Sequence, residues 1–319
     1  MFTLAKDRSQ KGKELRVVMV ESIEAAMDAD DRVVALEADL GGASKFTNIQ
    51  KSHPERFVQC GIAEADMVGI AAGLSVEGFR PFTHTFGPFA TRRCFDQIFL
   101  SGAYAHNTLN IYGSDPGFCV GTNGGTHTTW EDMALMRSIP GAVVCDPADE
   151  TQLRWIVSEF AATEGIHYIR ANRKDVRNVY EPGSTFQMGK GNLLVQGSDV
   201  LLVACGQLVS EALDAAEALA EQGVSCSVID MFCVKPLDEE LLLSEAAGKK
   251  LVVTFENHGV IGGLGDACAA TLAESGCGVR LIRHGVKERF GQVGSPAWLQ
   301  KDFHLTAEDL VNTVKEGLA

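Results

Sequence analysis

The 319-residue sequence contains no Cys-x-x-Cys pair, no run of eighteen uninterrupted apolar residues and no basic stripe. Its nine cysteines (Cys60, Cys94, Cys119, Cys145, Cys205, Cys226, Cys233, Cys268 and Cys277) sit singly among apolar neighbours, which reads as reduced, mostly buried thiols. Without a long apolar segment there is no membrane-span signal. The N-terminal "MFTLAKDRSQKGKELR" carries charges where a signal peptide needs an apolar core, so a cytoplasmic chain is expected. A formal net charge of -14 with no compensating basic stripe argues against a general nucleic-acid binder and points to small-molecule or protein partners. The motifs HExxH, GxSxG and GxxxxGK followed by Ser or Thr are missing. "GVIGGLGDACAA" at residues 259–270 comes near a dinucleotide fingerprint, but Cys268 stands where the third glycine belongs. Its glycines read instead as a tight turn and close helix packing.

What is present is the profile of a soluble globular chain, 45% hydrophobic and 22% charged, with core enough for two domains. A helical pattern over residues 16–28 leads into the strand-like "DRVVALEADL", and "RPFTHTF", "LNIYGS", "AVVCDP" and "IHYIRA" repeat the strand signal. Helical patterns fall at residues 61–76, 89–105, 129–139 and 149–163. The alternation predicts an α/β fold with a mainly parallel sheet. Residues 175–192, rich in Gly, Pro, Asn and charge, read as a linker, after which the strand and helix rhythm restarts. The expected division is an extension at 1–15, a first α/β domain at 16–178, a linker at 179–192 and a second α/β domain at 193–319.

"CGIAEADMVGIAAGLSVEGFRP" at residues 60–81 places Glu64 and Asp66 in an otherwise apolar helix. At about 100° per residue Glu64 shares a face with Met67, Val68, Ala71 and Ser75, and Ile70 and Leu74 cover another, so the helix is expected to have no solvent face. A carboxylate buried there costs several kcal/mol unless something compensates it. Two readings follow from the residues alone. Glu64 sits at a helix start for its dipole, or it does chemistry.

The stretch "GIAEADMVGIAAGLSVEGFRPFTHTFGPF" resembles the pyrimidine-binding domain of thiamine-diphosphate enzymes, most closely the C-terminal half of the transketolase family. The resemblance runs from about Arg16 to the C-terminus. It implies that Glu64, in the family's "GI.E..M" segment, hydrogen-bonds N1' of the cofactor's aminopyrimidine and drives its imino tautomer. Burial suits that task by letting the carboxyl share a proton with a ring nitrogen. Asp66 is read as a polar contact at a helix start. "THTFGPFATR" resembles the segment that walls the aminopyrimidine, which implies Phe86 and Phe89 against the ring, with Arg92 where the family often has tyrosine. In "GFCVGTNGGTHTTWEDMALMRSIPGAVVCDPAD", His127 matches a histidine that holds the sugar's carbonyl and hydroxyls. Asn123 stands where an aspartate usually reads the C2 hydroxyl, and "GSDPGF" lacks the histidine expected near Ser114 or Asp115. Arg16, Ser44 and Arg173 match positions that clamp the acceptor's phosphate, a task suited to bidentate guanidinium groups. Asp39 matches a cofactor-side aspartate. Without the resemblance, His127 reads as a surface loop residue and the arginines as surface ion pairs.

The second half resembles the family's C-terminal domain, where Glu256 and His258 are read as structural. No GDG segment occurs, so the family's diphosphate- and Mg²⁺-binding domain is missing, and no metal ligands are assigned to this chain. The resemblance therefore implies one subunit of a split transketolase that moves a two-carbon ketol unit between sugar phosphates. It would be active only with an N-terminal subunit that carries the diphosphate-binding domain and holds Mg²⁺, as an α2β2 assembly. Two other readings stay open: the β subunit of a 2-oxo acid dehydrogenase E1, and a non-catalytic regulatory or scaffolding half.

Overall fold

Runs such as Val33–Glu37 and Leu109–Ser114 are mostly apolar without a period-two alternation, as strands covered on both faces are. Both are buried at every position in the computed structural model, which describes residues 1–319. The first sheet contains β1 (Val33–Glu37), β2 (Phe57–Gln59), β3 (Arg80–Phe86), β4 (Leu109–Ser114), β5 (Val143–Cys145) and β6 (Ile166–Ala171). The second contains β7 (Asn192–Val195), β8 (Val200–Ala204), β9 (Cys226–Asp230), β11 (Leu251–Gly259) and β12 (Arg280–Val286). One strand crosses the division, since β10 (Cys233–Lys235) pairs antiparallel with β5 and completes a seven-stranded first sheet ordered β10-β5-β6-β4-β3-β1-β2. The other pairings in that sheet are parallel. The second sheet, ordered β12-β11-β8-β9-β7, is parallel except at β7. The result is an α/β fold with two mainly parallel sheets.

The helices Leu15–Ala29, Glu64–Val76 and Glu150–Ala162 lie where the periodicity places them. The pattern at 89–105 does not form one helix. A short turn at Gly87–Ala90 ends at Thr91, whose hydroxyl donates to Gly87 O at 2.8 Å, and a helix resumes at Phe95–Gln97 and runs into a π-helical segment, Ile98–Tyr104. Side-chain bonds to nearby carbonyls, including Cys94 Sγ to Phe89 O at 3.2 Å, replace the helical ladder at the break. The helix Glu64–Val76 does have an outer face. Asp66, Gly69, Gly73 and Val76 are exposed in line, and a Cβ built on either glycine would meet nothing within 4 Å. Apolarity on that side therefore reflects an uncovered stripe, not a second core contact.

The linker is docked. Asp149, the N-cap of Glu150–Ala162, accepts the N–H groups of Val179 and Tyr180 at 2.8 and 2.7 Å, and residues of the N-terminal extension bridge to Arg177 and Tyr180. All nine cysteines are free and seven are buried.

The sheets meet over a buried charge cluster. Arg170 directs Nε to Asp132 at 2.7 Å, Nη1 to Asp146 at 3.1 Å and Nη2 to the carbonyl of Asn257 at 3.1 Å. His258 lies 3.7 Å from Asp132, and burial pushes its pKa down to about 4. The near-fingerprint on β11 resolves here. Glu256 accepts the N–H groups of Leu264 and Gly265 at 2.7 and 2.8 Å, so the chain's own carboxylate occupies the helix N-terminus where a dinucleotide phosphate would sit. Burial raises the Glu256 pKa to about 7. A side chain at Gly263 would collide with that carboxylate, which explains this glycine by packing.

Candidate active site

Register brings the candidate residues together. Glu37 on β1 lies opposite His84 on β3, Phe86 opposite Ser114 on β4, and Ser114 opposite Ala171 on β6. Four strands thus stop in step, and the loops after them (Asp39, Phe89, Asp115, Arg173) open on one edge. Carboxyl ends of parallel strands are the usual place for a ligand in such sheets.

Phe86 and Phe89 stack with centroids 6.4 Å apart and planes 17° from parallel. His127 meets both rings edge-on, at 6.0 and 5.2 Å, and its Nδ1 lies 2.9 Å from Thr126 Oγ1. The other ring nitrogen makes no bond within the chain. Glu64 begins its helix and is only 3% exposed. Its Oε1 accepts from Arg93 Nη1 at 2.7 Å, and the same guanidinium lies over the Phe89 ring with its carbon 3.8 Å from the centroid. A planar group bearing N–H thus stacks on Phe89 while donating to Glu64. An aminopyrimidine is planar, aromatic and rich in ring nitrogen, so wall and carboxylate fit it once Arg93, 44% exposed, swings aside. Arg92, expected along this wall, turns instead to Glu131 at 2.8 Å and to the carbonyl of Thr126. Arg93 was missed by sequence reading, since only the fold shows which neighbour of the "TRR" pair faces Phe89.

The expected anion residues divide. Arg16 is committed within the chain, with Nε and Nη2 on Glu14 at 2.8 and 3.0 Å and Nη1 on the Ala43 carbonyl at 2.8 Å. Ser44 is buried and lies 3.2 Å from His84 Nδ1, so its hydroxyl faces inward. Arg173 keeps both terminal nitrogens without a partner, with its guanidinium carbon 5.4 Å from the Phe86 ring centre. Asp39 and Asn123 are exposed, Asp39 in a left-handed turn at φ 58°. Their side chains make no hydrogen bonds within the chain. No group of three or more His, Cys, Asp or Glu side chains is arranged to hold a metal ion, and no helix is long and apolar enough to cross a membrane.

The second domain holds the His127 loop. Phe118 N–H donates to Asn257 Oδ1 at 3.2 Å, Asn257 Nδ2 donates to the Pro116 carbonyl at 3.1 Å, and Gly259 N–H donates to the Trp130 carbonyl at 2.8 Å. A side chain at Gly117 (φ 57°) would strike Asn257, and one at Gly125 would strike the Gly291 carbonyl, so these glycines permit the approach.

Comparison with known proteins agrees with this arrangement. Residues 11–179 match the family model "Transketolase, pyrimidine binding domain", and residues 189–310 match "Transketolase, C-terminal domain". The chain is 44% identical over 302 residues to a 6-deoxy-6-sulfo-D-fructose transketolase subunit of Clostridium sp. (strain MSTE9), covering 95% of this chain and 94% of that one. It is 37% identical to a putative transketolase C-terminal section of Methanocaldococcus jannaschii, covering 90% and 91%. A solved structure described as a split gene transketolase, inactive beta4 tetramer, superposes with a TM-score of 0.89 at 38% identity, covering 96% of this chain and 99% of that one. With both domain models matched in order and half-length relatives aligned almost end to end, the chain belongs to the transketolase family as its C-terminal section.

Proposed function

We propose that this chain is the pyrimidine-binding subunit of a two-subunit, thiamine-diphosphate-dependent transketolase, which moves a two-carbon ketol unit between sugars that carry a terminal anion. The terminal group is a sulfonate or a phosphate. The observation that carries the reading is the buried Glu64 carboxylate beside the stacked Phe86–Phe89 wall, with His127 edge-on to both rings.

Thiamine diphosphate supplies the carbanion chemistry of such a transfer when bound. This chain's residues would do the rest. Phe86 and Phe89 hold the aminopyrimidine flat, and the Glu64 carboxyl, fixed at the helix start, hydrogen-bonds the ring nitrogen and exchanges a proton with it. His127, with Nδ1 engaged by Thr126, is free to donate from Nε2 to sugar oxygens. Arg173 receives the terminal anion on its two unpartnered nitrogens. The diphosphate and Mg²⁺ would be held by an N-terminal subunit in an α2β2 assembly. The bare stripe on the helix Glu64–Val76, which ends at Val76 (71% exposed), together with Ile62 at 75% and Tyr104 at 77% exposure, supports a covering partner.

Glu64→Gln in the assembled enzyme tests this directly. Turnover should fall about 10²- to 10⁴-fold while assembly and thermal unfolding stay as in the wild type. Near-normal turnover would remove Glu64 from the mechanism.

A further inference from the structure

At the end of β4 the chain turns on Asp115, a non-glycine residue in the left-handed region at φ 57°. The turn places its carboxylate, fully buried, beneath Arg173. Oδ1 accepts the backbone N–H of Arg173 at 3.2 Å, and Oδ2 lies 2.8 Å from its Nε. Both terminal nitrogens of Arg173 make no hydrogen bond within the chain and the side chain is 19% exposed, so the guanidinium is half neutralised by Asp115 and keeps donors to spare. Its neighbours follow the same pattern. Arg16, whose N–H reaches the Arg173 carbonyl at 3.5 Å, is bound by Glu14, and Lys174 Nζ lies 3.2 Å from the same carboxylate. Three cations and two carboxylates therefore form one cluster with a single net positive charge.

Neither Ser114 nor Asp115, near which the family resemblance led to the expectation of a histidine, adds a further cation. Ser114 is engaged within the chain. Its hydroxyl lies 3.1 Å from Nε2 of His84, which is fully buried and uncharged, its pKa pushed down to about 3 by burial. A sulfonate carries one negative charge, and a phosphate monoester roughly 1.5 to 2 near neutral pH. The carboxylate behind the arginine fork repels a dianion up to about twice as strongly as a monoanion at the same distance.

We infer that Asp115 is a specificity-determining residue, which lowers the charge of the Arg173 subsite so that it favours a ketose ending in a sulfonate over one ending in a phosphate. The inference rests on the ketol-transfer reading above.

The test uses the assembled two-subunit enzyme at pH 8 with 6-deoxy-6-sulfo-D-fructose and its 6-phosphate counterpart, measuring kcat/KM for each and equilibrium Kd by calorimetry. The wild type should prefer the sulfonate. Asp115→Asn keeps size and an acceptor for the Arg173 N–H, and should shift the sulfonate-to-phosphate ratio about tenfold toward phosphate in both measurements. Glu14→Gln, outside the buried turn, should move the ratio the same way by about two- to fivefold, so an Asp115 variant that fails to assemble does not end the test. An equal loss for both sugars, or a wild-type preference for phosphate, overturns the assignment. Binding of both sugars without turnover overturns the ketol-transfer reading while the Kd ratio still decides Asp115. Binding of neither overturns both.

Discussion

At the junction of the sheets Arg170 and Asp132 are both wholly buried, and each of the arginine's three nitrogens faces a carboxylate or carbonyl oxygen. At the strand ends the pairing is lopsided. Glu64 and Asp115 are 3% and 0% exposed, but their partners Arg93 and Arg173 are 44% and 19% exposed, and Arg173 has donors to spare. The first cluster pairs its charges inside the protein and away from any opening, so it serves as a joint between the two sheets. The second keeps a fixed carboxylate under a movable or unsaturated cation, which is what a ligand can compete with or add to. Burial alone would rank Arg170 the more unusual residue; free terminal donors on a partly exposed side chain point to Arg173.

The comparison can be broken first at the junction. Arg170→Leu leaves Asp132 and Asp146 buried without their cation and should destabilise the chain by about 3–5 kcal/mol in urea unfolding. A loss below about 1 kcal/mol would mean the cluster is not a structural joint. At the strand ends Arg173→Ala leaves the buried Asp115 without its side-chain cation and should cost about 1–3 kcal/mol in unfolding, less than the loss at the junction, yet raise KM roughly tenfold to a hundredfold for sugars with a terminal anion, while uncharged analogues are unaffected. Equal effects on both would make Arg173 another structural cation.

A third prediction uses pH. The folded-state pKa of Glu256, about 7, lies above its unfolded value of about 4.5, so the folded chain keeps a proton that the unfolded chain has lost between those pH values. Stability from this group is full at low pH and falls as pH rises through that window. Glu256→Gln should gain roughly 1–3 kcal/mol relative to the wild type between pH 5 and pH 7.5, measured by urea unfolding at both. A constant difference would deny the buried proton. The smallest expected effect is at Arg93. Its pair with Glu64 is partly exposed, so Arg93→Ala should tighten thiamine-diphosphate binding to the assembled enzyme by no more than about fivefold. Weaker binding would show that Arg93 supports the ring rather than standing in its place.

Local pattern carried much of the architecture. β-branched runs marked β1, β4, β6 and β8, and periodicity marked the helices Leu15–Ala29 and Glu150–Ala162. What depends on distant contacts was not legible. The pairing of Cys233 with Cys145 brings a strand of the second half into the first sheet, and no nearby residue signals it. The uncovered face of Glu64–Val76 reads as core because exposure there depends on what else packs, not on the helix's composition. Among the candidate site residues, Glu64 stood out as an acid in apolar company, and Phe86, Phe89 and His127 came from the family resemblance. Arg93 escaped notice, and Asp115 was marked only as a place near a missing histidine, because their meaning lies in which side chain each one meets. Arg16 was legible as a cation, but Glu14, two residues earlier, takes up most of its fork.

The central claim is that this chain supplies one half of an active site. It is tested most directly by ketol-transfer assays on the purified chain, on a GDG-bearing partner subunit, and on their mixture, each with and without Mg²⁺ and thiamine diphosphate. Activity should appear only in the mixture, depend on both additions, and coelute with an α2β2 complex in size exclusion. Rapid turnover by this chain alone, freed of host transketolase, would contradict the account.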